Sequence, residues 1–245
     1  MLLTEVVISF MKYLALFINI FTDPTISFQE LKKGNDWKIS LMPLAVLMVL
    51  GAIGLLLLKD LYYDVQLEQS VKWIENSSQI PDDQKDDALK SIYESFENPS
   101  TFSVMMMWLT NIFAGPLRVI MMTLIVLLIV KFFFGEKTSY SQLLPFISCS
   151  YLVNVLETVI KIPLMLNKWS INVHTGLGLL NIGEDGTFIN NFFASMDLFS
   201  LWRIVLIGVG MGIYFSKPAK PFIIGVFIYW LFQISIFALL GSLFT

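Results

Sequence analysis

Cysteine and histidine are nearly missing from this chain of 245 residues, which has one of each, Cys149 and His174. One cysteine excludes a disulfide within the chain, and so sparse a set gives neither a zinc cluster nor a histidine-based metal centre. Charge is scarce too. Asp, Glu, Lys and Arg make up 14% of the residues, against about 25% in soluble domains. The net charge is −3 and no basic face accumulates, so nucleic acid is not an expected partner. The sequence contains no HExxH, no GxSxG, no GKS or GKT phosphate loop and no CxxC, the motifs that announce common catalytic machinery. The expectation is a non-enzymatic protein without a cofactor or a metal. His174 falls in "NKWSINVHTGLGLLNIGEDG", whose glycines read as turns. A surface histidine is expected there, and a Ser–His dyad is the alternative.

What the chain has in quantity is apolar residues, 56% of the total, with a mean hydropathy of +0.72. Soluble domains hold about 45–50%. Spanning helices need about 20 consecutive apolar residues, and five such runs occur, at about 41–58, 116–134, 143–166, 198–215 and 221–244. The second is preceded by "TFSVMMMWLTNIFAG", read as a separate approach helix. Proline is favoured in a first helical turn, so the span is expected to restart at Gly115-Pro116. The start of the chain, "MLLTEVVISFMKYLALFINIF", has no basic leader region and reads as retained. Glu5, Ser9, Lys12 and Asn19 recur there at helical spacing, a narrow polar stripe on a broad apolar helix. Such a helix suits the membrane interface. As a span it would hold Glu5 and Lys12 at a cost of roughly 2.5–3.5 kcal/mol each near the bilayer centre.

Lysines and arginines in short loops set orientation. Lys12, Lys32, Lys33, Lys38, Lys131, Lys137, Lys217 and Lys220 fall on one side, read as cytoplasmic. That places the N-terminus inside and the C-terminus outside. The outer loop 59–101 carries ten acids against four lysines and reads as a helical hairpin. Its second helix opens with a Pro followed by acids, a helix-start signal. It serves either as a solvated cap on the span ends or as an acidic docking surface. The acids of "DDQKDD" lack the spacing and the glycine of a calcium loop.

Charges inside apolar runs are expensive and usually paired. Arg118 opens the second span from outside; Asn154, Glu157 and Lys161 lie in the third; Asp197 and Arg203 open the fourth. Glu157 and Lys161, four residues apart, share a helix face and can pair. Arg118, Glu157, Lys161, Asp197 and Arg203 come to a similar depth in the outer third of the membrane. Two readings stand: interhelical pairs with a snorkelling arginine, or the lining of a cavity for a polar headgroup or small anion. Gly208 and Gly212 form a small-xxx-small pair that permits close helix packing, and Gln233 reads as interhelical glue.

Three segments carry a family resemblance. "MDLFSLWRIVLIGVGMG", with its Asp-x-Phe-Ser-x-Trp core followed by glycines, resembles the opening of the fourth span in the Yip1 domain family. "GEKTSYSQLLPFISCSYLVNVL" is similar to that family's short loop entering the third span, and "FTDPTISFQEL" with "WKISLMPLAVL" to its lead-in to the first. The resemblance runs from about Phe21 to the end. It implies an all-α polytopic membrane protein with five transmembrane helices. To these the residues add an N-terminal interfacial amphipathic helix (segment 1–40) and an extracytoplasmic helical hairpin within 41–245. Eukaryotic members of the family bind Rab-type GTPases, affect membrane shape and support vesicle traffic. The short lead before the first span and the missing acidic cytoplasmic tail argue against GTPase binding here. They point to a bacterial-type member in the cytoplasmic membrane. Two functions follow as expectations: a membrane-organising scaffold whose partners are lipids, a second copy or other membrane proteins, or a transporter or flippase-like protein moving a polar solute or headgroup.

Overall fold

A computed structural model describes residues 13–34 and 36–243. Its regular elements are α1 (Tyr13–Thr22), α2 (Pro24–Gly34), α3 (Leu41–Asn76), α4 (Asp82–Glu97), α5 (Thr101–Phe132), α6 (Tyr140–Ser150), α7 (Val153–Lys168), α8 (Phe188–Ala194), α9 (Leu198–Phe215) and α10 (Ala219–Leu243). Short 3-10 turns cover Trp37–Ser40 and Leu177–Leu180. The fold is all-α, with no strand among the described residues. Five segments are long and apolar enough to cross a bilayer: Trp37–Asn76, Thr101–Phe132, Tyr140–Lys168, Leu198–Phe215 and Ala219–Leu243.

The chain divides into two compact units. The first holds the residues up to Leu47, Gly115–Glu157 and the chain from His174 onward. Its centre is α9. Asp197 caps α9, its Oδ1 accepting from the backbone N–H groups of Phe199 and Ser200 at 2.7 and 3.2 Å. At the other end Ser216 adopts the left-handed region (φ 54°), and the Lys217 N–H closes back on the Gly212 carbonyl. This satisfies carbonyls that a helix end leaves orphaned. The turn brings α10 back against α9 with almost no clearance. A Cβ at Gly208 would lie 2.2 Å from Ile223 Cγ1 and 2.7 Å from its Cα, and one at Gly212 would lie 2.8 Å from Ala219 Cα.

The N-terminal lead also packs on α9. Asp23 caps α2 by accepting from the Thr25 and Ile26 N–H groups, with Pro24 in the first helical turn. The Ser27 hydroxyl donates to the Leu16 carbonyl at 2.7 Å, so α1 and α2 fold back on each other. Phe21 meets Trp202 edge-on at 6.1 Å, Phe28 packs over Gly210 and stacks on Phe146, and Lys32 donates to the Ile213 carbonyl and the Ser216 hydroxyl. Successive residues of the lead thus meet successive residues of α9, and α2 runs parallel to it. Of the polar stripe expected at the start of the chain, Glu5, Ser9 and Lys12 lie outside the described residues.

The second unit holds Met48–Ala114 and Thr158–Val173. Here α3 and α5 cross tightly: a Cβ at Gly51 would sit 2.2 Å from the Asn111 carbonyl oxygen. Leu58, Leu61 and Ile162 form a buried cluster, and the Trp169 indole N–H donates to Asp64. The first arm of the acidic hairpin is a continuation of the span. α3 has 36 residues, about 54 Å at 1.5 Å per residue, well beyond a hydrocarbon core of about 30 Å. Pro81 starts α4, Asp82 and Asp83 fill its first turn, and Tyr63 packs edge-on against Phe96.

Two boundaries differ from expectation. Gly115-Pro116 does not restart a helix; α5 runs unbroken through it. In lipid a free helix end is costlier than one lost hydrogen bond, so the helix continues across the proline. The third span is instead broken, into α6 and α7, at Tyr151–Leu152.

Two substitutions test this packing. Gly208→Leu is expected to lower the thermal unfolding midpoint in detergent sharply, by the 1–3 kcal/mol or more that overpacking costs, whereas Gly225→Ala, whose Cβ would meet its nearest neighbour at 3.4 Å, should be tolerated. Ser40 is fully buried and its hydroxyl has no hydrogen-bond partner among the described residues. Ser40→Ala removes that polar atom and is expected to stabilise the protein, by up to about 1–3 kcal/mol, in the same measurement.

Candidate functional site

The break between α6 and α7 positions the most polar point of the first unit. No glycine or proline stands at Tyr151–Leu152. The Ser148 hydroxyl instead donates to the Pro145 carbonyl and the Ser150 hydroxyl to that of Phe146, competing with the helical ladder. The backbone tightens into three-residue steps, Leu152 N–H to Cys149, Asn154 N–H to Tyr151 and Val155 N–H to Leu152. This re-aims the chain so that Tyr151 and Asn154 both face α9.

Arg203 stands six residues past the Asp197 cap, about 9 Å along α9. Its Nη1 donates to Asn154 Oδ1 at 2.8 Å and its Nη2 to the Ser200 hydroxyl at 3.1 Å. The guanidinium carbon lies 4.8 Å from the centre of the Tyr151 ring, within cation–π range. The arginine is thus solvated by two neutral oxygens and an aromatic face. This is the side-chain equivalent of a hydration shell, which a charge in apolar surroundings requires.

Asp197 belongs to a second knot at the start of α9. Its Oδ2 accepts from the Thr175 hydroxyl, the Leu177 N–H donates to the Met196 carbonyl, and Gly176 bridges to Asp197. The approach is so close that a Cβ at Gly176 would lie 2.0 Å from the Met196 carbonyl oxygen. His174 is half-buried, and its ring would meet a Cβ on Gly178 at 2.6 Å.

Of the six polar residues picked out in the sequence, the fold brings Asn154 and Arg203 into direct contact. Arg118, exposed on α5, lies close enough for its charge to act on Tyr151. Glu157 and Lys161 follow on α7, four residues apart and neither without a partner, with Lys161 belonging to the second unit. Asp197 serves as a cap. Sequence reasoning missed Tyr151 and Thr175, and took Ser200 only as part of the Asp-x-Phe-Ser-x-Trp core, with no role as a partner of Arg203. Tyr151 lies in an apolar run and Thr175 in a glycine-rich loop, with no spacing that marks them. Two clefts are open to solvent or lipid, one lined by Asn191, Ser195, Phe237 and Gly241 with two alanines, the other by Gln66, Gln69, Ser70, Trp73, Ile74, Ile92 and Phe96. None of the six lines either of these two. Among the described residues no group of three or more Cys, His, Asp or Glu could hold a metal ion.

Five apolar helices, an aspartate-capped fourth span and its glycine contact face set the terms for comparison with known families. The family model of the Yip1 domain matches residues 18–241. The chain belongs to the Yip1 family. It is a multi-pass integral membrane protein of that family. No curated protein and no solved structure matches it.

In this Yip1 protein the Arg203 contact can be dissected by double substitution. Asn154→Leu leaves a guanidinium donor without its oxygen and is expected to cost about 1–3 kcal/mol. Asn154→Leu combined with Arg203→Met removes both partners and is expected to be the more stable variant. Thermal unfolding of both in detergent checks this, and a double variant less stable than the single would contradict it.

Proposed function

We propose that this Yip1 protein is a non-enzymatic membrane organiser, acting through helix and lipid contacts. The observation that carries this reading is how the intramembrane polar group is used. Arg203 is spent on Asn154, Ser200 and Tyr151, joining α9 to the α6–α7 break. The glycines of α9 serve the same purpose against α10. A transport path would need such groups turned toward a solute. The orientation that accompanies this reading has the N-terminus cytoplasmic and the C-terminus outside, in a bacterial cytoplasmic membrane. The acidic hairpin then stands on the outer face. The partners are lipids and other membrane proteins, a second copy of the chain included.

One feature favours the runner-up, a transporter or flippase-like protein for a polar solute or headgroup. Discontinuous helices commonly frame the binding sites of secondary transporters, and Arg203 sits at such a discontinuity.

Two measurements separate the readings. An organiser is expected to self-associate in nanodiscs, and its deletion to alter membrane composition or morphology. A strictly monomeric protein with no deletion phenotype in the membrane sinks that reading. Proteoliposomes that move a headgroup-labelled lipid, with loss of movement on Arg203→Gln, would establish the runner-up.

A further inference from the structure

The end of the first unit where α5 and α9 finish and α10 begins is built from aromatic rings and lysines. Phe222 lies 4.7 Å from Phe134 and 5.5 Å from Phe215, centre to centre, tying the three helix ends together. Five lysines stand around this cluster. Lys131 is on the last turn of α5, Lys137 in the loop after it, Lys217 in the α9–α10 turn and Lys220 at the start of α10, while Lys32 reaches in from α2.

These lysines are not equivalent. Lys32 is committed to the carboxyl end of α9, through the Ile213 carbonyl and the Ser216 hydroxyl, where a cation also meets the helix dipole. Lys217 is committed to Glu136. Lys131, Lys137 and Lys220 are exposed and have no hydrogen bond or ion pair among the described residues. Beside them, Phe132 and Phe133 are 80% and 83% exposed. Uncommitted cations next to bare aromatic rings form a surface of mixed character. A free anion would use the lysines and leave the rings bare. An acidic peptide would need them covered by apolar side chains of its own. A phospholipid supplies both parts in one molecule, a phosphate for the lysines and acyl chains for the rings, at the depth where these helix ends meet the membrane surface.

We propose that this end of the protein binds the headgroup of an anionic phospholipid, held by Lys131, Lys137 and Lys220, with Phe132 and Phe133 against its acyl chains. The proposal rests on the reading of the protein as an organiser through lipid contacts and names the lipid class. Charge elsewhere in the chain agrees with a one-sided preference, since the hairpin 59–101 carries ten acids against four lysines and repels the same lipids.

The test uses the full-length protein in nanodiscs of mixed phosphatidylglycerol and phosphatidylcholine, with lipids retained after mild extraction counted by native mass spectrometry. Phosphatidylglycerol is expected to be enriched over the bulk mixture at low salt and to fall toward it at high salt. Lys131→Gln/Lys137→Gln/Lys220→Gln should lower the enrichment by about fivefold or more, on the scale of one lysine's attraction to an anionic surface. The triple Lys→Arg variant should keep it, as should Lys72→Gln/Lys90→Gln on the acidic hairpin. Phe132→Ala/Phe133→Ala should weaken it. Unchanged enrichment in the triple Gln variant overturns the proposal. So does full displacement of the lipid by inorganic phosphate, which would mark a site for the free ion. A monomeric protein that enriches the lipid fails only the organiser reading; a self-associating protein that does not enrich it fails only this proposal.

Discussion

A guanidinium cannot be left bare among hydrocarbon, and the first unit is arranged around that constraint. Arg203 is half-buried on α9, and the protein surrounds its guanidinium from three directions. Asn154 gives a carbonyl oxygen, Ser200 a hydroxyl and Tyr151 a ring face. Two of the three come from the point where α6 gives way to α7. Residues three apart are neighbours on a straight helix too; the three-residue steps at the break bring Tyr151 and Asn154 closer to eclipse. The break in the third span and the charge in the fourth thus meet at one place.

The rest of the unit is fastened to the same helix. Asp197 and Thr175 hold the entry of α9, Gly208 and Gly212 admit α10, Gly210 admits Phe28, and Lys32 closes the far end. The contacts differ in kind along its length: a cap, a charge, a run of small residues, a left-handed turn. Each suits its surroundings, with hydrogen bonds at the ends and close van der Waals packing between them, where lipid tails offer no hydrophobic drive for association.

The sequence made the architecture legible because hydrophobic run length is a direct consequence of bilayer thickness. The five runs correspond to five spanning segments. The glycines of α9 could be placed on a contact face from their spacing, although not matched to Ile223 or Ala219. The third span resisted: two serine hydroxyls bond back to their own helix just before its break, and such bonds bend a helix only in some contexts. Pro116 misled in the opposite sense: in water its position after a glycine would end a helix, and in lipid the alternative to continuing is worse. Of the site, the charged members stood out because they are costly. Tyr151 and Ser200 did not, since a partner to a charge can be any oxygen or ring that geometry brings near. In the fold-back of α1 on α2 the Ser27 hydroxyl reaches a carbonyl eleven residues away, and no periodicity encodes that.

The order in which the chain is made gives the Arg203 contact a further meaning. Asn154 precedes Arg203 by 49 residues, so a ribosome delivers the acceptor to the membrane before the cation that needs it. Only a three-residue turn, Ser216 to Pro218, separates α9 from α10. Arg203 thus arrives after the segment that carries its acceptor, with α10 following close behind. Biogenesis and the finished structure place the same demand on Asn154, which makes it a receiving post during assembly as well as a fastener afterwards.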